Sequence, residues 1–204
     1  MLVLFLPIYA VNRESCLPLA NPRTTRQLML QNKGFQRYLM MKNPAVHIQF
    51  LCDTKLVGQK MKMTFACNKT SSLWQNFMPG RHAIQNQLGT ELYSVEVYGD
   101  LTFYEDFDTD RTFEKWAAVR VDRFGKIPGG MEGLEIPAGL YAVFHYVGKA
   151  SDAAEIYGFI FNHWIPNSEY TLDNRPHLAV MGEKYKNEDP ESEEEIWLPV
   201  IKIK

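Results

Sequence analysis

Glu195-Ile196-Trp197-Leu198-Pro199-Val200 decides how the whole chain reads, because it has a counterpart. Glu114-Lys115-Trp116-Ala117-Ala118-Val119 lies about eighty residues before it. Each is preceded by a segment that ends in an aromatic residue and a proline. These are Leu73-Trp74-Gln75-Asn76-Phe77-Met78-Pro79 and Ile160-Phe161-Asn162-His163-Trp164-Ile165-Pro166. Two echoes in the same order, at nearly the same spacing, imply a duplicated unit. Two such units can pack about a pseudo-twofold axis, and the seam between them is a natural place for a ligand.

Side chains alternate across a strand. Glu195 and Trp197 therefore share one face of the last strand, while Ile196, Leu198 and Val200 share the other. The apolar face should meet helices, which leaves Glu195 and Trp197 pointing into a groove. Glu114 and Trp116 fall on one face in the same way. A carboxylate beside an indole is a receptor for an organic cation, since the acid supplies charge and the ring face supplies quadrupole attraction. In a dry aromatic pocket the same carboxyl would have a raised pKa and could act as an acid catalyst. The competing reading is a solvated glutamate next to a packing tryptophan at a sheet edge.

The rest of each unit follows the same order. Lys55 to Phe65 alternates, with Val57, Met61, Met63 and Phe65 apolar, and reads as a strand. Asn68 or Thr70 can cap a helix that carries Leu73, Trp74, Phe77, Met78 and Ile84. Pro79-Gly80 interrupts it, a second helical stretch is expected over Arg81 to Leu88, and Gly89 closes it. Leu92 to Tyr98 and Phe113 to Val121 read as strands, with an acidic loop from Glu105 to Arg111 between them. Phe124 to Gly130 is dense in Gly and Pro, as a boundary should be. Beyond it, Gly139 to Val147 reads as a strand. Ser151 or Asp152 caps a helix to Trp164, which Pro166-Asn167 ends. Strands are expected over Pro176 to Tyr185 and Glu195 to Lys202, with an acidic turn from Lys186 to Glu194. The predicted fold is α+β: a tandem βαββ repeat with pseudo-twofold symmetry, its antiparallel sheet covered by helices on one side and forming a ligand cleft on the other. The domain covers residues 47–204, with units at about 47–124 and 131–204. Residues 1–46 read as an N-terminal extension that is poorly ordered, with four prolines, several basic residues and one short helical stretch from Arg26 to Met41. That basic run could instead be a DNA-binding arm, but it is too short for a helix-turn-helix with its supporting helices.

With 204 residues, 46% hydrophobic and 23% charged, the chain can bury a substantial core. A net charge of -2 gives no electrostatic case for direct nucleic-acid or membrane binding. The aromatic content of 13% suits a chain that lines an apolar pocket, though large cores use aromatics too. Cys16, Cys52 and Cys67 form no CxxC pair, which favours a reducing, cytoplasmic setting over a disulfide framework. No apolar run is long enough to span a membrane. His47, His82, His145, His163 and His177 lack partners at ligand spacing, so no metal or cofactor is expected.

Ile136-Pro137-Ala138-Gly139-Leu140-Tyr141-Ala142-Val143-Phe144, the Trp164-Ile165-Pro166 helix end and the closing Glu195-Ile196-Trp197-Leu198-Pro199-Val200 together resemble the GyrI-like small-molecule-binding domain. That family includes effector-binding domains of AraC- and MerR-type regulators. The resemblance covers about residues 50 to 202 and implies the stand-alone form. It implies hydrophobic, often cationic ligands in a central cleft with an acidic residue, which by motif position is Glu195. Candidate ligand-binding residues are Glu195, Trp116, Trp197, Tyr146, Trp164, Glu114 and Tyr98. Two alternatives stay open. One is a hydrolase of cyclopropanoid-type electrophilic natural products, with Glu195 as the catalytic acid/base and Trp116, Trp164 and Tyr146 stabilising positive charge. The other is a protein-binding inhibitor like that of gyrase. A homodimer or a partner regulator is compatible with either.

Overall fold

A computed structural model describes residues 44–105 and 108–203. The expected extension and its Arg26 to Met41 helix lie outside the described residues, apart from the last few residues of the extension. The elements run β1 (Val46–Leu51), β2 (Thr54–Met63), α1 (Thr70–Gly80), β3 (Leu92–Val97), α2 (Thr102–Glu105), β4 (Phe113–Val121), β5 (Glu132–Ile136) and β6 (Gly139–Val147). They continue with α3 (Ala154–Phe159), a π turn (Ile160–Trp164), α4 (Ile165–Asn167), β7 (Tyr170–Leu172), β8 (His177–Met181) and β9 (Glu193–Lys202). The fold is α+β, and all the strand pairings are antiparallel.

The sheet order is β1-β6-β9-β8-β3-β4-β2-β5, with β7 added to β9. Outward from the central β3·β8 pair, each direction meets a long Glu-x-Trp strand, then the strand that precedes a helix, then a short edge strand. Val95 pairs with Leu178 at that centre, and each is the cross-strand neighbour of one tryptophan, Trp116 or Trp197.

The edge strands were missed by sequence pattern, and they change the picture of two self-contained units. β1 precedes the first half but pairs with β6 of the second. β5 precedes the second half but pairs with β2 of the first. Only Cys52-Asp53 joins β1 to β2, and only Pro137-Ala138 joins β5 to β6. Such short links reach about 10 Å, so strands far apart in the sheet order must come together. The sheet therefore coils, using the right-handed twist that strands carry, and the links cross where Asp53 Oδ1 accepts the Ala138 N–H at 2.8 Å.

Alternation then sorts the core. Val57, Ala117, Val119 and Val121 face α1, packing on Leu73, Trp74 and Phe77. Ala142, Phe144, Ile196, Leu198 and Val200 face α3, packing on Ile156 and Ile160. Leu56, Val95, Trp116, Tyr141, Val143, Leu178 and Trp197 form a third cluster on the opposite face, inside the coil. Burying side chains of this size stabilises by about 1.5–3 kcal/mol each before entropy is counted.

Two local expectations are corrected. The helix does not resume over Arg81 to Leu88: a 3-10 turn ends at Ala83 and Ile84 is extended. The Gln87 side-chain amide donates to the carbonyls of Arg81 and Ile84, so those groups need no further helical partners. Nor does the second helix stop at Trp164. The π turn sets Pro166 in the first turn of α4, where a missing N–H costs nothing.

Candidate functional site

Glu194 and Glu195 are neighbours on β9 and point to opposite faces, so each opens on a different environment. Glu195 is half-buried and lines an open cleft of about 650 Å³ with Trp197, Tyr93, Leu56, Leu178, Val180 and Arg120. One carboxylate oxygen accepts the Trp197 indole N–H at 2.9 Å. Glu91, Glu183, Lys184 and Glu193 stand at the same cleft, and Lys184 is paired with Glu193 at 3.0 Å.

Glu194 faces the helices. It lies in a small chamber of about 30 Å³, together with Ser94, Glu96, Lys115, Tyr157, His177 and Ala179. The walls are the approach to α1 (Phe65, Asn68, Thr70) and the start of the α3 segment (Ala150, Ala153). Glu96 is buried against Lys115, whose ammonium lies 2.6 Å from Oε1, and the Tyr98 hydroxyl donates to Oε2. Burial alone would push the Glu96 carboxyl up, but Lys115, Tyr98 and His177 together hold it below its ordinary value.

Glu194 has no such compensation. Its Oε2 is fully buried without a hydrogen-bond partner, and so is Ser94 Oγ in the same chamber. Burial raises its pKa to about 7, opposed only by the Lys115 charge. Burial also holds His177 neutral, lowering it to about 4. Unsatisfied buried polar atoms are rare in folded proteins, and two in one cavity mark a place built for something else.

The rings of Phe65, Phe113, Tyr157 and His177 line the chamber, and others stand behind them. His177, Tyr104, Phe161 and Tyr157 form a run of near-parallel rings, with successive centroids 5.2, 5.1 and 6.5 Å apart. Tyr98 meets both Tyr104 and His177 edge-on. Tyr146 stands directly across from Glu194 on β6. Phe161 belongs to the π turn, a form of helix that recurs at functional sites. A dry aromatic chamber with an uncompensated carboxyl can hold a hydrophobic cation, or keep a proton near neutrality and release it to a bound molecule.

The residues singled out from sequence therefore disperse. Glu195 and Trp197 line the open cleft, and Tyr98 lies behind the chamber, edge-on to His177 and bonded to Glu96. Tyr146 flanks the chamber but donates its hydroxyl to the Lys149 carbonyl at 2.8 Å. Trp164 packs edge-on against Phe144 and stacks on Tyr170 in the core under α3. Glu114 and Trp116 sit on the open face of the sheet, joined by an indole N–H bond of 2.8 Å and closed over by Lys60. Sequence reading passed over Glu96, Glu194, Tyr104 and Tyr157. The one signal for Glu194 was its place beside Ile196 and Leu198 on the apolar face, where a carboxylate does not belong.

The coiled antiparallel sheet thus carries a small polar chamber at its helical seam and an open cleft on its other face. The chain belongs to the GyrI-like small molecule binding domain family, whose model matches residues 44–201. It is 27% identical over 137 residues to the transcriptional regulator BrlR of Pseudomonas aeruginosa, a match that spans 63% of this chain and 45% of the regulator. Among solved structures it is similar to SAV2435 bound to tetraphenylphosphonium, with a TM-score of 0.54 and 19% identity, covering 77% of this chain and 94% of that one. The EcmrR C-terminal domain is similar too, with a TM-score of 0.57 and 18% identity over 78% of this chain and 99% of that one. At these identities the structural likeness is one of fold. No helix among the described residues is long and apolar enough to cross a membrane.

Proposed function

We propose that this protein binds hydrophobic organic cations in the chamber at the helical seam, with Glu194 as counter-charge and the Tyr157 ring as a wall, backed by the stacked Phe161 and Tyr104. The observation that carries the reading is the buried Glu194 carboxylate with an oxygen that has no partner. A tetraarylphosphonium cation suits such a site: it offers charge without hydrogen-bond donors, and aryl faces that stack on tyrosines. The fold shared with SAV2435, whose structure holds tetraphenylphosphonium, supports that ligand class. The chamber as it stands holds little more than one water, so entry requires the Ala150–Asn167 segment to shift. That segment is a chain of 3-10, α and π turns rather than one continuous helix. The free Cys52 and Cys67 fit a reducing, cytoplasmic setting.

Calorimetric titration with tetraphenylphosphonium tests the reading. Saturable binding is expected, weakened at least tenfold in Glu194→Gln; equal affinities would sink it. One observation favours a second reading. Glu194, half-protonated near neutrality, could donate a proton to a strained cyclopropane as water attacks the ring carbon. Incubation with a cyclopropanoid compound, followed by mass spectrometry for the water adduct, decides that reading, which ends if no adduct rises above background.

A further inference from the structure

The two ends of the sheet are counterparts in the fold but not in chemistry. β5, at one end of the strand order, carries Glu132 and Glu135. A second copy laid along it would bring like charges together, which is one way edge strands resist pairing. β7, the added strand beside β9, is protected by its shortness, at Tyr170–Leu172. β1, at the other end, has neither protection. Val46-His47-Ile48-Gln49-Phe50-Leu51 contains no Asp, Glu, Lys, Arg or Pro. Phe50 is 60% exposed and Val46 is 36% exposed.

The register shows which backbone groups of β1 are free. The Ala45 carbonyl accepts the His145 N–H at 3.1 Å, so these two residues form a hydrogen-bonded pair. Such pairs alternate along an antiparallel ladder. His47, Gln49 and Leu51 therefore exchange bonds with β6, while Val46, Ile48 and Phe50 turn their N–H and C=O groups outward. Among the described residues β1 pairs with β6 alone. The side chains of Val46, Ile48 and Phe50 share one face, and Ile48 packs partly against the core under α3.

We propose that β1 is a dimerisation edge, on which two copies of the chain pair β1 with β1, antiparallel, about a twofold axis through Ile48. In that register Ile48 meets the partner's Ile48, and Val46 meets the partner's Phe50. Each outward N–H and C=O of these residues then gains a partner, and the exposed Phe50 ring is covered by a valine. The two sheets become one, and the apolar strip beside α3 continues across the axis. A twofold contact needs a self-complementary surface, and β1 is one, because it is uncharged and spaced symmetrically about Ile48. A charged strand would find no counter-charge on this edge. Glu194 and the chamber take no part, so this pairing and the ligand reading stand or fall separately.

Sedimentation velocity of the full chain tests the proposal, with reductant present because Cys52 is exposed beside β1. One strand pairing is smaller than a standard interface, so a monomer–dimer equilibrium in the micromolar range is expected. Phe50→Lys and Val46→Glu should each weaken it at least tenfold, as a charge on an edge strand does. Placed together in one chain they set opposite charges face to face across the axis and should recover most of the lost affinity. Hydrogen exchange at the Val46, Ile48 and Phe50 amides should slow as concentration rises. A monomer at every concentration overturns the proposal, and if those amides are protected in it, another segment covers the edge. A dimer that Phe50→Lys leaves intact overturns it too. So does a double variant that associates no better than either single one, since the contact would then lie in another register or elsewhere.

Discussion

Glu194 and Glu195 are covalent neighbours on one strand and live in different solvents. Glu195 faces an open, mixed-charge cleft and leans on an indole N–H. Glu194 faces the helices, has an oxygen with no partner, and is pushed up to about 7 by burial. The comparison teaches that residue type and motif do not set a carboxylate's chemistry. The face of the strand does, and a step of one residue changes the face. A second contrast lies along the chamber floor. Glu96 is as buried as Glu194, yet Lys115 and Tyr98 hold it below its ordinary value.

The largest expected effect breaks that second contrast. Lys115→Met removes the ammonium and leaves Glu96 buried and uncompensated. Losing one partner of a buried pair costs about 3–5 kcal/mol, so urea unfolding at neutral pH should show a loss of that size. A loss under about 1 kcal/mol would mean that water already reaches Glu96 and that the two acids are not different in kind.

Next comes Glu194 itself. Its pKa stands near 7 in the folded state against 4.5 ordinarily, so between those values the folded protein keeps a proton that the unfolded chain gives up. Stability should therefore fall as pH rises through that window, and the full penalty, about 3 kcal/mol at most, is present above it. Glu194→Gln should be stabilising by up to that amount at pH 8 and neutral at pH 4. Denaturant midpoints at the two pH values check the sign. The same proton competes with a bound cation. Tetraphenylphosphonium affinity should rise about tenfold from pH 6 to pH 8, and the rise should vanish in Glu194→Gln.

How much of this was legible follows from the same distinction. The strands Phe113–Val121 and Gly139–Val147 were read with their bounds intact, because each faces a core on both sides and so is a long, largely apolar run rich in aromatic and β-branched residues. The edge strands β1 and β5 were not. Their outward residues are exposed, so the pattern is weak, and their pairing with the far half depends on how the sheet coils. For the site, the Glu-x-Trp echo led to one face of the sheet and to the cleft. The chamber was invisible because it draws a few residues each from β3, β4, β8, β9 and the α3 segment, and of these only Lys115 lies in the echoed hexapeptides. What joins Glu96 to His177 or Tyr104 to Phe161 is register and helix placement, which spacing along the chain does not encode.

The smallest effect tests the likeness of the two Glu-x-Trp pairs. Lys60 is partly exposed and bridges Glu114 and Glu132, so its loss should cost under about 1 kcal/mol. Denaturant midpoints of Lys60→Met and of the unaltered protein measure that cost. Glu195→Gln, with no ion pair among the described residues to lose, should cost no more. A loss of several kcal/mol in Lys60→Met would mean that its contact with Glu114 and Trp116 is closed to water like that of Lys115 with Glu96, so that the two pairs differ in burial and not only in what stands across from them.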